Sequence, residues 1–330
     1  MDLKHLLKRG ALLTAANWQT VAIQFVAQTT FQALLAVPIL GAAILVTLLL
    51  RADLGDLLQG SLRDIFTSIA STLMSEPVAL VAFITAFTLV LFGGSVLMFA
   101  VKGGTIEVLL AANAAAGAIE HQPITLDSLQ AAARFTLPRF THGCARLFRR
   151  YLALGALLMV VYALAAAGYL VFVAYGYRFA EGRALMIGWT FIAAVAAAMV
   201  VAAITIVNSL YLLLQIAMAV EGTGLVPGAR AAVRFIRADL RELAGVFVVV
   251  VALAWSGVGL IAFVPLVGLA VIPLQLAALL VRGLVFEFLG LTALGAYVTL
   301  YQGYAARRND AIVAIHDAPV QRAAGASGAI

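Results

Sequence analysis

Two short stretches place a cation and a carboxylate at the same spacing within long apolar sequence. Lys102 and Glu107 lie in VKGGTIEV, and Arg282 and Glu287 lie in VRGLVFEF, five residues apart in each case. Five residues correspond to about 140° around an α-helix, whereas an ion pair within one helix needs a spacing of three or four. In a regular helix, neither acid therefore faces the cation of its own stretch.

Three interpretations of these charges remain open from sequence. In the first, the cations reach lipid headgroups, the acids lie in the interface, and the neighbouring glycines allow close helix packing. In the second, Lys102 pairs with Glu287 and Arg282 with Glu107, because an unpaired charge near the middle of a bilayer costs about 2.5–3.5 kcal/mol. In the third, the two glutamates belong to a path for protons or ions.

The composition determines the class of protein that must position these groups. The chain has 330 residues, of which 64% are hydrophobic and 11% charged. Ordinary soluble domains are about 45–50% apolar and about 25% charged. A soluble protein of this length could not bury so much apolar surface, so the composition predicts an all-α polytopic membrane protein.

Six apolar runs are long enough to cross a hydrocarbon core of about 30 Å, which takes roughly 20 helical residues. The predicted spans are residues 29–50, 78–101, 152–175, 185–207, 243–262 and 264–281. A further apolar run, 284–304, is either a seventh span or a continuation lying in the membrane interface.

The distribution of lysine and arginine favours six spans. Sixteen of these cations fall before residue 29, in the 102–150 and 208–242 connections, and in the C-terminal tail, against four in the remaining connections. Cytoplasmic connections carry the excess of lysine and arginine, so both termini are predicted to be cytoplasmic. The predicted arrangement is one transmembrane domain, residues 1–308, in a bacterial inner membrane, followed by a flexible tail, 309–330.

Four stretches are predicted to be interfacial amphipathic helices, near residues 3–25, 126–150, 226–242 and 284–304. Basic helices with an apolar face lie in the headgroup plane, where each cation contributes about 1 kcal/mol on an anionic leaflet. We therefore expect contacts to anionic lipid on the cytoplasmic side from Arg134, Arg139, Arg146, Arg149, Arg150, Arg230, Arg234, Arg237 and Arg241.

The basic stretches also suggest an internal repeat. AAARF, residues 131–135, stands 100 residues before AAVRF, residues 231–235, and a weakened copy of the opening motif occurs at 207–213. The chain would then contain three units, each with an interfacial basic helix, an outward span and a returning span.

No arrangement of catalytic or metal-ligating residues is legible. The histidines are scattered without metal-ligand spacing; they are His5, His121, His142 and His316. No phosphate-binding glycine loop and no aromatic-interleaved basic motif for nucleic acid are present. We expect no catalytic site, no cofactor, no metal and no nucleic-acid partner.

The paired spans, the Ala-rich Arg-Phe helices and the stretch LYQGYAAR, residues 300–307, resemble a broad bacterial family. This family is the membrane domain associated with some glycerophosphoryl diester phosphodiesterases, together with related stand-alone six-span membrane proteins. The resemblance covers most of residues 1–308 and implies a fold and a place in the cell envelope. The hydrolase domain of such fusions has no counterpart in this chain.

The expected function is that of a non-catalytic membrane module. Such a module binds anionic lipid through its basic interfacial helices and organises lipid, a partner protein or further copies of itself. The alternative is a permease or channel for a small or lipidic molecule, which would use Lys102, Glu107, Arg282 and Glu287 in a common cavity.

Overall fold

The computed structural model describes residues 2–50, 75–181, 186–262 and 272–326. These residues form nine α-helices and one 3-10 turn at Ile119–His121, and they contain no strand. The helices are α1 (Leu3–Ala16), α2 (Trp18–Leu50), α3 (Pro77–Ala115), α4 (Leu126–Ala132), α5 (Leu137–Glu181), α6 (Met186–Glu221), α7 (Leu225–Ala238), α8 (Leu240–Ala262) and α9 (Ile272–Ala326).

Five of these helices contain segments long and apolar enough to cross a membrane. The segments are Trp18–Gly41, Leu80–Ala115, Leu137–Ala180, Ile187–Glu221 and Ala278–Asp310. Their large apolar side chains face outward, as at Leu89 and Leu164, which are 72% and 69% exposed. Exposed apolar surface on this scale is compatible with lipid as the solvent, so the helical class is confirmed and an integral membrane protein is supported.

The number of six spans is not confirmed. The predicted span 243–262 is helical within α8, but that helix is not among the five candidates found in the described residues. Part of the predicted span 264–281, residues 264–271, lies outside the described residues. The count of six therefore stays a prediction.

The chain divides into two compact units. One contains residues 22–102, where the ring of Phe31 on α2 lies directly against Gly94 on α3. The other contains the residues up to 21 and from 103 onward, in which α1 packs on α9, α5 on α6, and α7 on both α6 and α8. The features described below belong to this second unit.

The predicted helix over residues 3–25 is divided at Asn17 into α1 and the start of α2. On α1, Leu6 and Leu13 are fully buried. Gly10 lies so close to Thr292 and Ala296 of α9 that a Cβ at this position would overlap their backbone atoms. The apolar face of α1 therefore packs against protein, whereas a headgroup location was predicted for this segment.

Helix α9 has an exposed first part and a buried second part. The side chains from Val281 to Gly290 are exposed or half-buried, whereas every residue from Leu291 to Tyr301 is buried. The run 284–304 therefore continues one helix rather than forming a separate interfacial helix. The predicted flexible tail is helical as far as Ala326, because extending a formed helix costs much less than nucleating one.

Among the described residues, the helices follow an order of one short and two long, with α1, α4 and α7 as the short members. Helices α3 and α6 end near Gly117 and Gly222, whose φ values are +58° and +62°. Glycine adopts this left-handed conformation without the steric cost of a Cβ atom, so it commonly ends helices.

Candidate functional site

The short helices meet three long helices in a polar junction. We call this junction the basic end; it consists of α1, the 3-10 turn, α4 and α7, together with the adjoining ends of α3 and α6 and the middle of α9, residues 299–308. Its interior contains a buried network around Arg9, and its surface carries exposed arginines.

Arg9 of α1 is the centre of the buried network. Its Nη1 lies 2.5 Å from Glu120 Oε2 and also donates to the carbonyl of Gly117 at 2.5 Å. Its Nε donates to Asn113 Oδ1 at 2.6 Å, and its Nη2 to the Asn113 carbonyl at 3.0 Å. The Arg9 and Glu120 side chains are only 10% and 8% exposed, and a buried charge is tolerated when paired and hydrogen-bonded in this way.

Asn113 connects this network to α9. Its Nδ2 donates to Gln302 Oε1 at 2.5 Å, and its Oδ1 also accepts from Thr299 Oγ1 at 3.0 Å. The amide therefore uses both its donor and its acceptor between Arg9 and α9. One connected set of hydrogen bonds thus joins α1, the end of α3 and α9.

The turn around Glu120 adds further polar contacts to α1. Lys8 Nζ donates to the carbonyls of Glu120 and Gln122, each at 2.9 Å, and the rings of His5 and His121 lie 4.7 Å apart. Burial opposes ionisation of Glu120, but its backbone hydrogen bond and the Arg9 guanidinium outweigh this effect and lower its pKa. Glu120 is therefore a carboxylate at neutral pH.

Asn17 holds the start of the α4–α5 connection against α1. Its Oδ1 accepts from the backbone amides of Arg134 and Phe135, at 2.8 and 2.9 Å. Its Nδ2 donates to the carbonyls of Leu13 and Ala132, at 2.8 and 3.0 Å. This single buried amide therefore satisfies four backbone groups where two chain segments turn.

A second polar cluster joins α6 to α9. Glu221, at the end of α6, accepts from Arg308 at 2.8 Å and from the Tyr301 hydroxyl at 2.9 Å. The Tyr301 ring packs edge-on against Phe235 of α7, with ring centroids 4.9 Å apart. The charge of Glu221 is thus balanced by α9, while the apolar side of α7 is held against the same helix.

Among the four charges of the opening motifs, Glu107 and Arg282 have described neighbours. Glu107 contacts Arg146 of α5, so its partner differs from the Arg282 of the crossed-pair hypothesis. Arg282 lies over the ring of Phe286, 5.6 Å from its centroid. Lys102 and Glu287 are half-buried, and Lys102 belongs to the other compact unit. Close helix packing at Gly103 against Gly143 brings Glu107 to α5.

The predicted lipid-contact arginines fall into two groups. Of the first, Arg146 pairs with Glu107 and Arg139 donates to the Arg134 carbonyl, whereas Arg149 is exposed and Arg150 half-buried. The second group is exposed and makes no ion pair with any described residue; it consists of Arg230, Arg234, Arg237 and Arg241. Only the second group presents uncompensated charge as a cluster.

Helix α7 has three distinct faces. Gly228, Ala231, Ala232 and Phe235 are buried against the bundle. Spacings of four and three place Arg230, Arg234 and Arg237 in one outward stripe. Val226 and Val233 are 59% and 46% exposed, and helical geometry places them beside this stripe. The outer surface of α7 therefore combines positive charge with apolar side chains.

Sequence reasoning missed the buried network. Arg9 is three residues from Leu6 and four from Leu13, a spacing that puts it on the apolar face of α1. A cation on the apolar face of a helix indicates that a buried acid pairs with it. The partner Glu120 gave no signal, because it lies in a connection 111 residues away.

The described residues contain no group of three or more His, Cys, Asp or Glu side chains that could hold a metal ion. What the basic end offers chemically is a set of exposed guanidinium groups, which bind phosphate and carboxylate anions well. Comparison of the chain with protein-family models, with curated proteins and with solved structures found no match.

Proposed function

We propose that this protein is a non-catalytic integral membrane module that binds anionic lipid headgroups through its basic end and thereby organises lipid or a partner protein. The observation that carries the proposal is α7 with the start of α8, where four exposed arginines make no ion pair with any described residue and adjoin exposed valines. Three of these arginines lie on α7, which also has a buried apolar face. A basic helix of this kind binds in the headgroup region.

Electrostatics gives the expected strength of this interaction. Each cation near an anionic leaflet contributes about 1 kcal/mol, so four arginines contribute about 4 kcal/mol when all lie at the surface. This attraction requires charge rather than a particular side chain, so lysine should replace arginine without loss. Cytoplasmic termini and a bacterial inner-membrane location accompany the proposal, because the basic end contains the predicted cytoplasmic connections.

The proposal extends to the architecture. The order of one short and two long helices that recurs among the described residues supports three related two-span units, as the recurring sequence motifs suggest. In the proposed family relationship, the LYQGYAAR stretch has a structural role: Tyr301, Gln302 and Arg307 all contact other elements of the basic end.

The test measures lipid selectivity of the purified protein in nanodiscs that contain phosphatidylglycerol and phosphatidylcholine with the same acyl chains. Native mass spectrometry counts the lipids that stay bound. We expect wild-type protein to retain phosphatidylglycerol preferentially, the variant with all four α7-region arginines changed to glutamine to lose this preference, and the lysine variant to keep it.

Single substitutions provide a matched control. Arg237→Gln and Arg178→Gln each remove one exposed arginine, but Arg178 lies in the last turn of α5, far from the basic end. Arg237→Gln should reduce phosphatidylglycerol retention and Arg178→Gln should not. An unchanged preference in the quadruple glutamine variant would contradict the proposed function.

A further inference from the structure

An apolar groove lies between the long helices, next to the basic end. It has a volume of about 150 Å³. Its lining consists of Ile206, Ser209, Leu210, Leu213, Ile236, Leu240, Leu243, Ala244, Phe247 and Tyr297. The single small hydroxyl in this set, Ser209 Oγ, donates to the Thr205 carbonyl of its own helix at 3.1 Å, so the lining is apolar in character.

The groove has a closed floor and an open side. Leu213, Leu243 and Tyr297 are 5–6% exposed and form the floor, whereas Ile206 and Leu240 are 55% and 60% exposed at the edges. A molecule can therefore enter from the surface of the bundle.

The groove runs along the helices. On α6 the lining extends from residue 206 to 213, and on α8 from 240 to 247. Seven residues of α-helix cover about 10 Å. Because α6 ends and α8 begins at the basic end, Leu213 and Leu240 lie toward this end of the groove, and Ile206 and Phe247 lie farther from it.

Two cations neighbour the groove lining in the sequence, toward the basic end. Arg237 directly follows Ile236, and Arg241 directly follows Leu240; both arginines are exposed. Two acids are also nearby in the sequence, but Asp239 accepts two hydrogen bonds from Arg307 Nη2, at 2.7 and 3.0 Å. Apart from this pair, Arg237 and Arg241 are opposed in this stretch of sequence only by Glu242, so positive charge is in excess at this end.

We propose that this groove holds one acyl chain of an anionic phospholipid whose phosphate contacts Arg237 and Arg241. The site has charge at one end and an apolar strip along the direction of the helices, which is the polarity of a phospholipid in a bilayer. The inference rests on the proposed function and adds to it one discrete lipid site.

The test fills the groove without altering charge. Ala244 is exposed within the lining, so Ala244→Phe places a ring where the acyl chain would lie. Ala252→Phe is the control, since it adds the same ring to an exposed position of α8 outside the lining. After delipidation in detergent, native mass spectrometry should detect one retained phosphatidylglycerol in wild-type and Ala252→Phe protein, and none in Ala244→Phe.

The arginines are tested separately. Removing one cation should weaken phosphatidylglycerol binding about fivefold, so Arg237→Gln and Arg241→Gln should each show this shift in a titration. Photocrosslinking with a diazirine on the acyl chain gives a readout that does not depend on variants, and we expect labelling at Leu210 and Phe247.

The outcomes separate the two proposals. If Ala244→Phe keeps the retained lipid while the nanodisc preference for phosphatidylglycerol persists, the groove site is overturned and the proposed function stands. If one lipid is retained equally as phosphatidylglycerol or phosphatidylcholine, the anionic assignment of the site is overturned. If Ala244→Phe instead converts a measured dimer into a monomer, the groove is a protein interface and the lipid site is overturned.

Discussion

Replacing Arg9 by methionine should release α1 from the bundle. The substitution keeps an unbranched apolar side chain but removes the guanidinium, leaving the Glu120 carboxylate with an 8% exposed side chain and no cation at 2.5 Å. It also removes the donors to Asn113 and Gly117. Breaking a buried ion pair by removing one partner costs about 3–5 kcal/mol.

The appropriate assay is hydrogen exchange of the α1 amides, because α1 can open locally without unfolding the long helices. A cost of about 3–5 kcal/mol raises the open population roughly 10²- to 10⁴-fold. The exchange of residues 7–16 should accelerate by a similar factor when reclosing of α1 is faster than the chemical exchange of an open amide. Lys4→Met is the control, because Lys4 is exposed on the same helix and should leave the exchange rate unchanged.

A double substitution separates charge from packing. In the Arg9→Met background, Glu120→Gln removes the uncompensated charge, so the double variant should recover a large part of the lost protection. If Arg9→Met exchanges at the wild-type rate, or if the double variant is no more protected than the single one, the reasoning from a buried ion pair is refuted.

Two further predictions concern the same contact. Gly10→Val should also accelerate α1 exchange, because its Cβ would meet Ala296 N at 2.8 Å, whereas Ala15→Val on the exposed side should have little effect. Because the pKa of Glu120 is below its ordinary value of 4.5, its contribution is complete above that value and is lost as pH falls through the lowered pKa. After correction for intrinsic exchange, α1 protection should be constant from about pH 8 to 5 and should fall only in stronger acid. The Glu120→Gln variant should not show this fall. A loss of α1 protection on raising the pH would contradict the prediction.

The long helices could be predicted because their determinant is local. A run such as 152–175 is apolar over a length that only lipid or a large core accommodates, and α5 covers it completely. The ends of the helices were predicted less accurately, because several helices extend beyond their apolar run into polar sequence. Helix α5 begins at Leu137, so Arg139 and Arg149 lie on the long helix itself rather than on a separate interfacial one.

The buried network could not be predicted because its partners are distant in sequence. The apolar face of α1, with Leu6 and Leu13, suits a headgroup interface and a protein surface equally well. Only the position of Gly10 against α9 distinguishes them, and this requires knowledge of which helix passes nearby. Likewise, the sequence offered several cations as possible partners of Glu107. Close packing of α3 and α5 at Gly143 makes Arg146 the partner.

The packing of α1 on α9 has a consequence for synthesis of the chain. Gly10 contacts Thr292 and Ala296, so α1 cannot reach its final place until this part of α9 has been synthesised. Ribosomes add about 5–20 residues per second, so some 280 residues take about 14–56 s at that speed. During this interval α1 lacks its packing surface on α9, and its apolar face can interact with membrane surfaces or chaperones. The contact between α1 and α9 therefore forms only after the intervening helices have been synthesised.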